Sequence, residues 1–243
     1  MIDANALTID HGRGGHAVRA VDGIGFCLEK GRSLAFIGPS GCGKTSILFA
    51  IAGLLSPSAG SVRVGGQPVT GPRREIALIL QNAGLLPWKT VWQNANLSLL
   101  LAREYPGHHA GPILDELGLG SVRDRFPAEL SEGMKRRVGI ARALSTAPEA
   151  LLMDEPLASL DTLTRERIQD LFLTLWRERR FSLILVTHDI EEAAFLGQEI
   201  VVLTERPAKV KATVPNEEMG SLDYRQSEGF RRTAARLREV LEQ

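Results

Sequence analysis

The clearest chemical signal in the sequence is a run of eight residues that fits the phosphate-binding pattern G-x-x-x-x-G-K-[ST] at every specified position: Gly38, Pro39, Ser40, Gly41, Cys42, Gly43, Lys44 and Thr45. Its three glycines allow backbone conformations closed to side chains, so successive N–H groups can point inward at phosphate oxygens. A helix that begins near Lys44 adds the positive end of its dipole. We expect Lys44 to reach the β- and γ-phosphates of a nucleotide and the Thr45 hydroxyl to ligate Mg²⁺.

Two adjacent carboxylates follow an apolar strand further along the chain. Residues 151–153 are apolar, and Asp154 and Glu155 come directly after them. In a chain with a phosphate-binding loop, Asp154 can hold Mg²⁺ through water and Glu155 can polarise the water that attacks the γ-phosphate. The alternative is an acidic cap where the strand passes into a turn. The presence of Lys44 favours the chemical role.

Gln81 and His188 each follow another predicted strand. Gln81 comes after the strand predicted at residues 75–80, where it could reach the metal ion and the attacking water. His188 follows the strand predicted at 182–186 and is placed for a polar contact to a γ-phosphate. Taken alone, a glutamine at a strand end is ordinary and a lone histidine is usually structural. Their assignment to a site depends on the other polar groups that follow predicted strands, because open α/β sheets bind ligands at the carboxyl ends of strands.

The elements that must position these groups follow from the hydrophobic pattern. Strands that alternate with helices predict a mainly parallel sheet, formed by residues 33–37, 75–80, 150–153, 182–186 and 199–203. Short alternating runs between glycine-rich turns predict a small antiparallel sheet, formed by residues 6–9, 24–28 and 61–64. Helices are expected at residues 45–55, 91–103, 111–117, 131–146, 161–179 and 226–241, with a break at Pro106-Gly107.

Composition limits the class of protein. The chain has 243 residues, 44% of them hydrophobic, and its 29 basic and 29 acidic residues leave no basic excess that would indicate a nucleic-acid surface. No apolar run approaches the ~18 residues of a membrane-spanning helix, and the N-terminus lacks the order of a signal peptide, so a cytosolic chain is expected. Cys27 and Cys42 are too few for a disulfide framework, and Mg²⁺ bound with nucleotide is the only metal expected. Because Cys42 lies inside the loop, thiol reagents should inhibit the activity, and bound nucleotide with Mg²⁺ should protect Cys42 from them.

Together the motifs resemble those of the ATP-binding subunit of an ABC transporter, in the family's order and from about residue 6 to residue 205. In the family's terms they are Walker A at residues 38–45, the Q-loop at Gln81, the signature Leu130-Ser131-Glu132-Gly133-Met134, Walker B at residues 151–155, the D-loop Ala158-Ser159-Leu160-Asp161 and the H-loop at His188. Three further features resemble subunits of the nitrate, sulfonate and taurine type of bacterial importer: Leu85-Leu86-Pro87-Trp88, Met134 and residues 204–207.

The resemblance implies an α/β fold, with a P-loop NTPase core and mainly parallel sheet, a small N-terminal antiparallel β-subdomain and an inserted α-helical subdomain. It implies an ABC ATPase domain at residues 1–205, with core and antiparallel sheet at 1–82 and 148–205, a helical subdomain at about 85–147, and a C-terminal extension with a terminal helix at 206–243. ATP and Mg²⁺ are the implied cofactors. Beyond the phosphate-binding loop, the implied nucleotide-binding residues are His11, Ser46, Ser131, Gly133 and Asp161. The implied metal-binding residues are Thr45, Gln81 and Asp154, and the implied catalytic residues are Glu155, His188 and Gln81.

The resemblance also implies partners. One copy of each motif leaves a single chain without a complete site, so Ser131 and Gly133 are expected to act in trans on a second copy or a related ATPase subunit. Separate membrane permease subunits are expected to dock near the apolar stretch from Ala83 to Trp88, called here the docking stretch, unless it folds onto its own subdomain. The expected location is the cytoplasmic side of the inner (cell) membrane, peripheral through the permease subunits. A solute-binding protein is an indirect partner, and no nucleic acid is expected.

Two departures from the family pattern bear on activity. Glu132 stands where the signature usually has glycine; facing a partner's nucleotide it would repel the γ-phosphate, and turned outward it would pair with Lys135 or Arg136. We expect the repulsion, and therefore higher ATPase activity in a Glu132→Gly variant. His11 stands where an aromatic residue generally stacks on adenine. It either stacks, with less ring area than tyrosine, or is a surface residue of a glycine-rich turn.

The sequence leaves three functions open. The first is an ATP-hydrolysing subunit that powers uptake of a small solute, such as nitrate, a sulfonate or taurine, through separate membrane subunits. The second is a nucleotide-binding regulatory subunit with weak turnover, because Glu132 and His11 could both weaken the site. The third is a soluble ABC-type ATPase not linked to transport, although such proteins usually carry a second cassette, a coiled-coil insertion or a basic surface. The transported molecule cannot be read from this chain, since its pocket lies in other chains.

Overall fold

A computed structural model describes residues 1–12, 17–102, 109–158 and 160–242. The chain divides into two compact units. One consists of Met1–Arg73 together with Gln169–Gln243, and the other of Arg74–Ile168.

In chain order the strands are β1 (Ile2–His11), β2 (Val18–Leu28), β3 (Ser33–Ile37), β4 (Ala59–Val64), β5 (Gln67–Pro68), β6 (Ile76–Ile79), β7 (Ala150–Asp154), β8 (Ser182–Thr187), β9 (Glu199–Leu203) and β10 (Val210–Pro215). The α-helices are α1 (Lys44–Ile51), α2 (Val91–Ala95), α3 (Leu97–Ala102), α4 (Gly111–Glu116), α5 (Glu132–Leu144), α6 (Thr162–Arg179), α7 (Ile190–Leu196) and α8 (Glu228–Glu242). Within the described ranges, no helix has the length and apolar character needed to cross a membrane.

The first unit contains the small antiparallel sheet expected from the sequence, in the strand order β2-β1-β4-β5. Its strands extend beyond the predicted runs, and in β1 a bulge interrupts the alternation on which the prediction depended. The register of β1 against β2 shifts between Ala4 and Leu7, and Ala6 has a φ of 48°. Gly60 of β4 accommodates this bulge, since a Cβ there would lie 2.2 Å from the Ala6 carbonyl oxygen. His11 is the last residue of β1.

The mainly parallel sheet has the order β10-β9-β3-β8 within the first unit. β3 pairs in parallel with both β8 and β9, and Ile37 lies opposite Thr187 and Val202. Every residue of β3 and β8 is buried, which explains their continuous apolar runs. Because Ile37 and Thr187 are partners in the register, the segments that follow β3 and β8 leave the sheet at the same edge. The predicted α/β architecture is thereby confirmed.

Part of the predicted C-terminal extension is built into this sheet. β10 pairs antiparallel with β9, although it lies beyond the boundary expected at residue 205. Asn216, a buried residue after β10, donates hydrogen bonds to the carbonyl oxygens of Ala194 (2.7 Å) and Gly197 (2.8 Å) at the end of α7. The Tyr224 hydroxyl donates to the side-chain oxygen of Asn216, and burial raises the pKa of Tyr224. The chain beyond residue 205 is therefore an integral part of the first unit.

The second unit contains the expected helical subdomain together with β6 and β7. These two strands pair in parallel, with Ile79 opposite Met153. Their register brings the chain beyond each strand, which includes Gln81 after β6 and Glu155 after β7, to the same end of the pair. The strand predicted at residues 75–80 is shorter, at Ile76–Ile79, and the strand predicted at 150–153 extends to Asp154.

The helix predicted at residues 91–103 is two helices, α2 and α3. Between them, the Asn96 side chain donates to the Trp92 carbonyl oxygen (2.8 Å) and accepts from the Ala110 N–H (2.8 Å). An asparagine that bonds the local backbone in this way competes with helix continuation, which explains the division. Residue 103 and the predicted break at Pro106-Gly107 lie outside the described residues.

Candidate functional site

The phosphate-binding loop connects β3 to α1, and its three glycines are needed for different reasons. Gly41 and Gly43 have φ angles of 76° and 131°, which residues with side chains rarely adopt. A Cβ at Gly43 would also lie 2.7 Å from the Ala20 carbonyl oxygen. At Gly38 the reason is close packing, since a Cβ there would lie 3.1 Å from Cβ of Leu203 at the end of β9. The expected backbone argument holds for two of the glycines and is replaced by packing at the first.

Lys44 folds back across this loop. Its side chain is nearly buried, with 4% of the residue exposed, and Nζ donates hydrogen bonds to the carbonyl oxygens of Gly38 (2.8 Å) and Pro39 (2.9 Å). An ammonium ion with so little solvent around it interacts strongly with nearby charges, and the more negative oxygens of a phosphate can replace the carbonyl oxygens. Thr45 follows it in α1 and is exposed. The loop therefore presents a cation and a hydroxyl at the start of a helix, the arrangement that phosphate binding requires.

His11 and Ser46 join the antiparallel sheet to the first turn of α1. Nε2 of His11 lies 2.8 Å from Oγ of Ser46. His11 is exposed, whereas Ser46 is largely buried. The contact holds the end of β1 beside the residues that follow Lys44, so both residues lie next to the phosphate-binding loop.

His188 lies one residue beyond β8, at the sheet edge from which the phosphate-binding loop also leaves β3. Its backbone is fixed on both sides. The Asp189 carboxylate caps α7 by accepting from the Glu191 N–H (2.8 Å) and the Glu192 N–H (3.1 Å). The Thr187 hydroxyl accepts from the Asp189 N–H (3.0 Å) and donates to the buried Glu192 carboxylate. His188 itself is exposed, so the first unit presents an imidazole from a rigid turn at the edge that carries the loop.

In the second unit the two adjacent carboxylates differ in environment and backbone. Asp154 is the last residue of β7 and is buried, whereas Glu155 is half-buried and has a φ of 43°. A left-handed backbone at a residue other than glycine costs about 1–3 kcal/mol and is concentrated at functional sites. The regular alternation of β7 stops at Asp154, so neighbouring side chains need not point to opposite faces of the sheet. This agrees with the interpretation that both carboxylates serve one site.

The signature residues lie at the start of α5, beside the start of α6. The Ser131 hydroxyl caps α5 by accepting from the Met134 N–H (3.3 Å). Gly133 permits close packing, because a Cβ there would lie 3.0 Å from Cγ2 of Thr164. Hydrogen bonds from the side chain and backbone of Thr164 hold the pKa of Asp161 below its ordinary value. Ser131, Gly133 and Asp161 are thus near one another, while Ser159 of the predicted D-loop lies outside the described residues.

Glu132 takes the second of the two orientations considered for it. Its carboxylate forms an ion pair with Lys135 at 2.7 Å, and 68% of the Glu132 side chain is exposed. Because this pairing turns the charge along the helix surface, the observed orientation does not support the expected repulsion of a nucleotide.

The docking stretch is only partly exposed. Ala83 is buried against Gly139 of α5, and Leu85 and Leu86 are half-buried. The exposed part is its end, where Trp88 has 69% of its surface exposed. The alternative in which the loop folds onto its own subdomain therefore describes the beginning of the stretch, and an accessible surface describes its end.

Two arginines of α5, Arg136 and Arg142, were missed by sequence reasoning. Arg136 is buried and donates to the carbonyl oxygens of Leu80 and Ala158, both at 3.3 Å. Arg142 donates to the Gly84 carbonyl oxygen at 2.7 Å and to that of Ala83. The sequence shows these arginines among apolar residues of a predicted helix, which indicates that they could be partly buried. It does not identify their hydrogen-bond acceptors, because every residue has a backbone carbonyl oxygen.

The strand, glycine loop and helix, with a buried lysine folded over the loop, define a nucleotide-phosphate-binding protein of the P-loop class. A family model described as ABC transporter matches residues 21–158. The chain is 38% identical over 237 residues to the taurine import ATP-binding protein TauB of Ruegeria pomeroyi, covering 93% of this chain and 88% of that protein. It is 44% identical over 203 residues to TauB of Chromobacterium violaceum, covering 82% of this chain and 78% of that protein.

Solved structures give the same assignment. A dimeric bacterial ABC transporter cassette is similar with a TM-score of 0.78 and 28% identity, covering 88% of this chain and 98% of that one. A dimeric ATP-binding cassette in a post-hydrolysis state with ADP and phosphate is similar with a TM-score of 0.73 and 27% identity, covering 86% and 98%. The chain belongs to the ABC transporter family. The predicted fold class, ATP binding and ATP hydrolysis are confirmed.

Proposed function

We propose that this chain hydrolyses ATP to power the uptake of taurine, or of a closely related small sulfonate, through separate membrane subunits. The observation that carries the proposal is the 38–44% identity to taurine import ATP-binding proteins over most of the chain. The sequence of the docking stretch supports the same subgroup. Nitrate, the other solute considered, becomes an outcome of the test.

The proposed phosphate contacts come from the loop and the start of α1. Backbone N–H groups of residues 38–45 and the Lys44 ammonium group would hold the β- and γ-phosphates of ATP. Ser46 would contact the phosphates from the first turn of α1, and His11 would stack on adenine. The 2.8 Å contact between Nε2 of His11 and Oγ of Ser46 supports placing both residues beside the nucleotide.

Mg²⁺ is proposed as the metal, since the candidate residues offer the oxygen ligands that this hard cation prefers. Thr45 would supply a hydroxyl, Gln81 an amide oxygen, and Asp154 a carboxylate that acts through water. When bound, the ion neutralises the charge that develops on the β- and γ-phosphate oxygens. The exposed position of Thr45 at the start of α1 and of Gln81 beyond β6 supports this donor set.

Hydrolysis would proceed by in-line attack of water on the γ-phosphorus. Glu155 would accept a proton from that water as the bond to the bridging oxygen of ADP breaks, and Gln81 would orient the water. His188 would donate a hydrogen bond to the γ-phosphate, held by the rigid turn between β8 and α7. The left-handed backbone of Glu155 supports its assignment, because such strain accumulates where a side chain must be aimed.

The proposed assembly is a dimer of this chain or a pair with a related ATPase subunit, as in the dimeric cassettes to which it is similar. Ser131, Gly133 and Asp161 would close over nucleotide held by the partner. Permease subunits would dock at the exposed end of the docking stretch, near Trp88, and a solute-binding protein would deliver the solute to them. The complex would place this chain at the cytoplasmic side of the cell membrane, peripheral through the permease subunits.

The test is uptake of radiolabelled taurine by cells that carry the chain in place of the genomic copy. We expect uptake with the unsubstituted chain, and its loss with Lys44→Ala and with Glu155→Gln at equal expression. Unlabelled sulfonates should compete, and nitrate should not. Undiminished taurine uptake in both variants would mean that this uptake does not depend on the chain, and would overturn the proposed solute. Competition by nitrate but not by unlabelled sulfonates would favour nitrate as the solute.

A further inference from the structure

The signature helix α5 holds the backbone around Gln81 on both sides. Arg136 donates to the Leu80 carbonyl oxygen, immediately before Gln81, at 3.3 Å. Arg142, which follows Arg136 further along the same helix, donates to the carbonyl oxygens of Ala83 and Gly84, immediately after Asn82. Gly139 lies between the two arginines and lets Ala83 approach, since a Cβ at Gly139 would lie 3.1 Å from Cβ of Ala83. The segment that contains Gln81 is therefore fixed to α5.

Arg142 sustains an unusual backbone at the beginning of the docking stretch. Ala83 and Gly84 have φ angles of 58° and 53°, so two successive residues are left-handed, and one of them has a side chain. Both carbonyl oxygens accept from the Arg142 guanidinium, whose planar fork suits two acceptors at once. Arg142 is half-buried, and this burial lowers the pKa of its guanidinium group.

The other end of the docking stretch is held by Asn94 of α2. This fully buried side chain accepts from the Leu86 N–H (2.8 Å) and donates to the carbonyl oxygens of Leu86, Lys89 and Thr90, at 3.1, 2.9 and 3.0 Å. Trp88 protrudes between these anchors. Asn94 and Arg142 therefore tie the two ends of the docking stretch to helices of the second unit by side-chain hydrogen bonds, and Arg142 belongs to the helix that begins at the signature residues.

We propose that Arg142 is a positioning residue that couples the docking stretch to the signature end of α5. The proposal rests on the proposed function, in which Trp88 meets permease subunits and Ser131 and Gly133 meet the partner's nucleotide. Through Arg142 the left-handed turn at Ala83 and Gly84 moves together with α5. Coupling between two sites is reciprocal, so closure on ATP must also change the docking stretch.

Hydrogen–deuterium exchange tests this reciprocity in the full-length chain. Exchange is measured in peptides that cover residues 83–90, which exclude the proposed metal ligand Gln81, with and without MgATP, in a Glu155→Gln background that retains ATP. With Arg142 present, we expect MgATP to change exchange in this segment roughly fivefold or more, the lower end of usual allosteric coupling. Arg142→Gln should reduce the change to less than about twofold while ATP affinity, titrated separately, is retained.

Two further variants make the test specific. Arg137→Gln is the matched control, because Arg137 lies on the same helix and donates to a backbone carbonyl oxygen, that of Leu117 at 3.1 Å, outside the docking stretch. It should preserve the response to MgATP. Arg142→Lys should keep part of the response, since an ammonium group can reach one carbonyl oxygen but lacks the fork. If Arg142→Gln unfolds, the coupling role is tested by comparing the response to MgATP in Arg142→Lys with that in Arg137→Gln.

A full response to MgATP in Arg142→Gln would overturn the coupling role, and so would equal losses in Arg142→Gln and Arg137→Gln. Absence of ATP binding in the Glu155→Gln chain that retains Arg142 would instead overturn the proposed nucleotide chemistry. The two failures are therefore distinguishable.

Discussion

Nε2 of His11 lies 2.8 Å from Oγ of Ser46, so the last residue of β1 is fixed to the first turn of α1. Because Ser46 directly follows Lys44 and Thr45, the imidazole is held beside the phosphate-binding loop by a contact within the chain itself. His11 could therefore affect ATP binding in two ways, by contacting the adenine base or by acting on the phosphate-binding loop through Ser46. The two effects can be measured separately.

Substitution of His11 should change the affinity for ATP through the base. His11→Ala should raise the Kd for ATP about two- to tenfold, the range expected for loss of an aromatic stacking contact, and His11→Tyr should lower it. The control ligand is inorganic tripolyphosphate, which has no base, and its Kd should stay the same in both variants. Equal weakening for both ligands would mean that His11 acts through Ser46 on the loop.

Glu155→Gln should retain ATP binding and lose hydrolysis, because the amide has the shape of the carboxylate but cannot accept a proton from water. We expect kcat to fall about 100-fold or more, as for loss of a general base, and an ATP-bound dimer to accumulate. Steady-state rates and size-exclusion chromatography with MgATP measure the two effects. Glu178→Gln, the same chemical change at an exposed position of α6, should leave both unchanged. Turnover of Glu155→Gln within a few-fold of the unsubstituted chain would exclude Glu155 as the base.

Glu132→Gln should change the ATPase rate by less than about twofold, because the carboxylate is paired with Lys135 at 2.7 Å on an exposed surface and such pairs contribute little. This replaces the expectation that removal of the charge activates the protein. Lys135→Met is the informative companion, since it frees Glu132 to turn toward a partner's nucleotide and should lower the rate. A several-fold increase in Glu132→Gln alone would restore the repulsion hypothesis.

Thiol reagents should modify Cys27 before Cys42. Cys27 is exposed on β2, whereas only 2% of Cys42 is exposed, so the expected reactivity of the loop cysteine is opposed by burial. Peptide mass spectrometry during alkylation should show fast labelling of Cys27 without loss of ATPase activity. Inactivation should follow the slower labelling of Cys42, and MgATP should delay it. In Cys27→Ser only the slow phase should remain; loss of activity during the fast phase would contradict this order.

The sequence was most informative where function depends on local chemistry. The phosphate-binding loop, β3 and β9 could be predicted because a buried parallel strand is a continuous apolar run and the glycine pattern is contiguous. α7 was missed because it has only seven residues, although Asp189 followed by Glu191 and Glu192 is a helix-start signal. The roles of Arg136 and Arg142 could not be predicted, because their acceptors are backbone carbonyl oxygens of residues that are 22 to 59 positions away in the sequence.

β10 was missed for a reason that has its own consequence. It is the outermost strand of its sheet, mostly exposed, with Lys211 in its interior and Pro215 at its end, and this composition conceals its strand character. An outermost strand offers unsatisfied N–H and C=O groups to any other polypeptide, and lysine and proline at such positions discourage intermolecular pairing. The residues that make β10 hard to recognise thus protect the molecule against edge-to-edge aggregation, while β9 behind it remains covered. A shortened chain that ends at residue 205 would lose this protection and present apolar β9 as the new edge.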